Sequence, residues 1–133
     1  MDLKNKVVVI TGSSSGIGRT TAIRFAKEGT KVVVNYKTND VGGAEVLSEI
    51  TKYSEGLCIQ ADVANPKEVV KLFDEVIKKF GTVDILINNA AIPNDRVPYL
   101  EASYEDIVDL VNTDLIGPMM CTKEALKYMQ KQG

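Results

Sequence analysis

The sequence predicts an α/β fold, a doubly wound parallel sheet with helices on both faces. Three observations carry that expectation. Short unbroken runs of apolar, β-branched residues recur along the chain, amphipathic helical stretches separate them, and glycines or capping residues mark the junctions. Strands covered on both sides read as continuous apolar runs because neither face meets water.

The elements follow in order. Residues 6–11, Lys-Val-Val-Val-Ile-Thr, predict the first strand. From Ile17 the period becomes helical, with Ala22, Phe25 and Ala26 on one face and Gly29 as a stop. Residues 31–36 predict the second strand. Residues 40–52 predict a helix opened by Asp40, with Val46, Leu47 and Ile50 inward. Residues 56–61 predict the third strand. The third helix has Asn65 as cap, Pro66 at its first position and Glu68 where a capping-box acid belongs; Gly81 ends it. Val69, Phe73, Val76, Ile77 and Phe80 form its apolar stripe. Residues 83–88 predict the fourth strand. Ser103 with Asp106 starts another helix, backed by Ile107, Val108 and Val111, and a last helix runs over 115–130 with Pro118 in its first turn. The loop over 91–102 is the longest irregular piece. The order is β-α-β-α-β-α-β-α-α in one domain, residues 1–133.

Composition narrows the function. A net charge of −2 offers no strong field for nucleic acid or an anionic membrane. No apolar run nears the roughly 20 residues of a membrane helix, and the start runs straight into a strand, which predicts no secretory leader. Cytoplasmic residence is the expectation, with Cys58 and Cys121 as thiols rather than a disulfide. There is no histidine in the chain, which removes His-based catalysis and most zinc sites.

The chemistry concentrates in the first turn, Thr11-Gly12-Ser13-Ser14-Ser15-Gly16-Ile17-Gly18. Gly12 allows a sharp exit from the strand, Gly16 a close backbone approach to a pyrophosphate, and Gly18 tight packing of helix on strand. The helix start adds free N–H groups and the positive end of its dipole. A P-loop is excluded, because Gly18-Arg19-Thr20 has neither the lysine nor the spacing. The turn predicts a Rossmann-type dinucleotide site.

Thr-Gly-x-x-x-Gly-Ile-Gly resembles the cofactor signature of the short-chain dehydrogenases/reductases. Asp62-Val63 resembles the family's adenine-contacting pair, and Asn88-Asn89-Ala90-Ala91 its Asn-Asn-Ala-Gly segment. Ala91 replaces a glycine there; a left-handed backbone at that position would cost roughly 1 kcal/mol. The stretch from Lys31 to Lys37 resembles the second strand of the family's bacterial glucose 1-dehydrogenases. A 3-oxoacyl carrier-protein reductase and a non-catalytic nucleotide-binding module are the alternatives. The resemblance implies NADP or NAD as cofactor through Gly12, Ser14, Ser15, Gly16, Ile17, Gly18, Asn35, Tyr36, Lys37, Asp62, Val63, Asn89, Ala90 and Ala91. It implies a homo-oligomer built on the helices from about 103 and 115, while the low charge and the short apolar runs predict no nucleic acid and no membrane as partners.

The end of strand two carries no acid to hold ribose hydroxyls, and Lys37 could meet a 2′-phosphate, which favours NADP slightly. Asp114 stands where the family has a relay asparagine, while Asn112 is expected to face elsewhere. Family catalysis also uses a serine and a Tyr-x-x-x-Lys pair. No tyrosine here has a lysine four residues on; Tyr128 and Lys131 are three apart. The expectation is therefore the first four strands of the family fold, truncated at 133, with the cofactor site and no catalytic residue.

Overall fold

The computed structural model describes residues 2–93 and 97–132. The strands are β1 (Val7–Ile10), β2 (Lys31–Tyr36), β3 (Gly56–Gln60) and β4 (Ile85–Ile87). The helices are α1 (Gly16–Lys27), α2 (Asp40–Ile50), α3 (Pro66–Phe80), α4 (Tyr104–Val111) and α5 (Gly117–Gln132). Two elements escape a reading based on periods of 2.0 and 3.6 residues. A 3₁₀ turn covers Tyr99–Glu101 and a π-helical segment, Asn112–Ile116, joins α4 to α5. Part of the loop read over 91–102, residues 94–96, lies outside the described residues.

All strand pairs are parallel and the order is β3-β2-β1-β4. The order reverses at β1: the chain steps outward through β2 and β3 on one side of it and then returns to place β4 on the other. At such a point the connections leave in opposite directions and open a crevice at the strands' carboxyl ends.

Alternation along the strands divides the core in two. Val7, Val9 and Val33 face one side with Phe73, Leu72 and Val76 of α3 and Cys121 and Ala125 of α5. Val8, Ile10, Val32 and Val34 face the other with Ala22 and Ala26 of α1 and Val46 and Ile50 of α2. Each fully buried valine or isoleucine contributes roughly 1.5–3 kcal/mol, so the apolar runs themselves hold the three layers together. Cys58 and Cys121 are free thiols, and burial pushes Cys121 up to about 11. Among the described residues no helix is long and apolar enough to cross a membrane.

Local details depart from the expectation for physical reasons. The cap of α2 is Asn39, whose side chain accepts the Gly42 N–H at 3.0 Å; Asp40 is already helical. At α3, Asn65 caps as expected, but Glu68 reaches past the cap to accept the Asp62 N–H at 2.7 Å. The reciprocal capping box forms instead at α4, between Ser103 and Asp106. Strand β4 keeps only three residues, and among the described residues it pairs with β1 alone. Helix α4 buries no residue, so Ile107, Val108 and Val111 do not back onto the core. Ala91 carries no left-handed strain, because Asn5 is the one non-glycine residue with positive φ among those described.

Candidate dinucleotide site

The turn after β1 has to leave the sheet at once, and its residues permit that. Gly12 has φ 61° and Gly16 φ 55°, conformations that cost a side-chain-bearing residue. A Cβ on Gly16 would meet nothing within 4 Å, so the backbone there faces open space. A Cβ on Gly18 would lie 2.6 Å from the Gly12 carbonyl oxygen and 2.8 Å from Ser13 Cα, both backbone atoms that cannot move aside. Gly18 therefore allows α1 to sit directly on its own turn. Ser15 is the N-cap residue of α1, yet its side chain makes no capping bond, and the first turn holds no acid. The helix start keeps its N–H donors and its partial positive charge for something else.

A buried polar network holds this turn in place. Asn35, 1% exposed at the end of β2, accepts the Gly12 N–H at 3.1 Å. Its amide nitrogen donates to the Ile59 and Ala61 carbonyls at 3.3 and 3.1 Å. Ser13 donates to the Ile10 carbonyl at 2.7 Å and accepts the Asn35 N–H at 3.1 Å. On the other side, the Asn89 amide donates to the Thr11 and Gly12 carbonyls at 3.0 and 2.9 Å. The Thr11 hydroxyl accepts the Asn89 and Ala90 N–H groups at 3.0 and 3.1 Å. These bonds link the carboxyl ends of all four strands to one turn.

In front of the network lies a cleft of about 910 Å³. It is lined by Gly12, Ser14, Ser15 and Ile17 from the turn, by Asn35 and Tyr36 at the end of β2, and by Lys37, Thr38 and Asn39 after it. Ala61, Asp62, Val63 and Ala64 line it after β3, and Asn89, Ala90, Ala91, Ile92 and Pro93 after β4. Asp109, Asn112 and Thr113 close its far side. The expected cofactor residues thus converge, with Gly16 and Gly18 shaping the wall rather than lining it.

Several roles differ from the expectation. Asn35 reaches the cleft wall, but its amide is used inside the protein, so it positions the turn. Lys37 and Asp62, read as separate ligand contacts, pair with each other at 3.1 Å. Asn112 faces the cleft, because the wider π turn rotates it there. The Asp114 carboxylate instead accepts the Ile92 N–H at 2.9 Å and ties the π segment to the exit from β4. Thr11 and Ser13 were missing from the expected site; polar residues directly after a fully apolar strand were the available signal. Tyr128 stands apart, its hydroxyl 3.2 Å from Asp74 on α3. Burial and that carboxylate push its phenol above the ordinary tyrosine range, opposite to what a proton-donating tyrosine needs.

The short chain dehydrogenase family model matches residues 6–133. The chain belongs to the short chain dehydrogenase family. A 3-oxoacyl-[acyl-carrier-protein] reductase of Synechocystis sp. is 39% identical over 98% of this chain and 53% of its own length. Glucose 1-dehydrogenase 2 of Bacillus subtilis is 36% identical over 98% of this chain and 51% of its own. The crystal structure of an NADH-dependent reductase, A1-R′, complexed with NAD superposes with TM-score 0.89 and 28% identity. It covers 98% of this chain and 55% of that one. This short chain dehydrogenase sequence spans about half the length of the relatives it matches.

The network yields a prediction. Asn35→Ala leaves the Gly12 N–H and two carbonyls without their partner, and should cost about 1–3 kcal/mol, read as a lower urea midpoint. A midpoint equal to that of the unmodified chain would show that the amide does not hold the turn.

Proposed function

We propose that this chain is the cofactor-binding part of an NAD(P)-dependent oxidoreductase. The observation that carries the reading is the turn from Gly12 to Gly18. It presents an uncapped helix start and an open glycine backbone to a cleft at the point where the strand order reverses. Those features fit a pyrophosphate: free N–H donors, a favourable dipole and no acid in the first turn of the helix. In this reading Ser14, Ser15 and Ile17 bound the phosphate end. Tyr36, Lys37, Asp62 and Val63 bound the adenosine end, and Ala90 and Ala91 pass the ribose. A nicotinamide supplies hydride transfer when bound; the residues of this chain bind and orient it.

NADP is proposed to bind at least as well as NAD. The residues of β2 and its exit that line the cleft, 35–39, include no acid, and Lys37 is among them. The substrate reading stays with an alcohol–carbonyl pair. The likeness across residues 31–37 favours a glucose 1-dehydrogenase, and the 39% relative a 3-oxoacyl reductase. A tyrosine acid with its lysine four residues on is missing from the 133 residues, so the chain alone is proposed to bind without turnover. Free thiols support a cytoplasmic setting.

Self-association is proposed on α4, α5 and the π segment between them. Ile107, Leu110, Leu115, Ile116, Met119 and Leu126 are exposed there. Met120, Tyr128 and Met129 of α5 pack against the core.

Two measurements follow. Calorimetry should show NADP and NAD binding to the 133-residue chain, abolished by Gly16→Asp, which places a carboxylate in the phosphate approach. No nicotinamide reduction should appear with glucose, and no oxidation with a 3-oxoacyl thioester. Absence of binding would remove the proposal, and turnover lost in Gly16→Asp would reveal a catalytic acid within these residues. Sedimentation should show a dimer or larger species at micromolar concentration; a monomer would remove the α4–α5 surface as an interface.

A further inference from the structure

We propose that the Lys37–Asp62 ion pair sets how strongly this site discriminates between NADP and NAD, with Asp62 acting against NADP by holding the lysine. The inference rests on the nucleotide reading above and deepens it.

The two residues leave adjacent strands at the same level. Tyr36 of β2 is in register with Gln60 of β3, so the chain exits side by side into the mouth of the cleft. Lys37 Nζ lies 3.1 Å from Asp62 Oδ2. The members of the pair are not equally free. The Asp62 carboxylate also accepts the Ala64 N–H at 2.9 Å, and the Asp62 N–H donates to Glu68 at 2.7 Å. The carboxylate is therefore fixed by its own turn, and its side chain is 25% exposed. Lys37 is fixed only at its backbone, where its carbonyl accepts the Gln60 amide at 2.9 Å. Its side chain is 66% exposed on a flexible four-carbon stem.

The lysine is thus the moving part. A dinucleotide with free ribose hydroxyls leaves the pair intact. One with a 2′-phosphate offers Lys37 a second, more highly charged partner, and the lysine must leave Asp62 to reach it. What NADP gains at Lys37 is reduced by what the pair loses. Discrimination between the cofactors stays small for as long as both residues are present. Asp62 thereby becomes a specificity-determining residue that works through Lys37.

The test is a double-mutant cycle on the ratio of the NAD and NADP dissociation constants, measured by calorimetry on the 133-residue chain. Asp62→Asn keeps an oxygen for the Ala64 N–H and removes the charge; Asp62→Ser does the same with a shorter side chain. Loss of an adenine contact affects both cofactors and cancels in the ratio. In either variant the ratio should shift toward NADP about two- to fivefold, the scale of one exposed ion pair. Lys37→Met should shift it toward NAD. Adding Asp62→Asn to Lys37→Met should then change nothing further. An unshifted ratio in both Asp62 variants overturns the inference. So does a shift that persists in the Lys37→Met background, which would mean direct repulsion of the phosphate by Asp62. Those results leave the nucleotide reading standing. Failure of the unmodified chain to bind either dinucleotide overturns that reading and the inference together.

Discussion

The site depends on how the turn between β1 and α1 satisfies its backbone. A parallel strand that ends inside a sheet and turns back at once leaves peptide groups buried with no ladder partner. An unpaired buried group costs about 1–3 kcal/mol. Two asparagines, one from each neighbouring strand, meet that demand. Asn35 takes the Gly12 N–H, and Asn89 gives to the Thr11 and Gly12 carbonyls. With the turn satisfied from behind, its outward groups are left free. In the proposed reading, a folding requirement thereby becomes a binding surface. The residues that stabilise the carboxyl ends of the strands also keep the start of α1 aimed at the cleft.

The same logic reaches the cleft's other walls. Glu68 holds the Asp62 turn, Asp114 holds Ile92, and Gln60 holds the Lys37 backbone. Each is a polar side chain that fixes a loop. The loops after β2, β3 and β4 are thus positioned by side chains from other elements, which suits a site that must present several short segments to one extended molecule. The π segment adds a local adjustment. By widening the turn between α4 and α5, it brings Asn112 and Thr113 to the cleft while Asp114 ties back to the sheet. π turns of this kind often occur at functional positions.

Much of this was legible in the sequence, and the reasons are specific. Val7–Ile10 is buried on both faces, so its apolar run is continuous and unmistakable. Residues 66–80 show a sharp stripe, a Pro start and a Gly stop because α3 packs on one side only. The glycine turn was readable because each glycine answers a backbone need. What could not be read depended on tertiary geometry. Asn35 and Lys37 have the polarity of ligand contacts, and only the fold shows that the first is spent on Gly12 and the second on Asp62. Likewise, a 3.6-residue period cannot reveal a π segment, so Asn112 was placed facing away. Helix α4 has an apolar stripe as clear as those of core helices, yet no core lies behind it.

The central claim is that the turn from Gly12 to Gly18 is the phosphate-binding element of the cleft. An amide-resolved NMR titration with NADP tests it most directly. The account predicts the largest shifts at Gly12 and at residues 14–18, with further shifts at Asp62 and at residues 89–91. Amides of the outer face of α5, such as Lys123 and Lys127, should stay unchanged. Saturable shifts centred on α5, with the glycine turn unmoved, would contradict it.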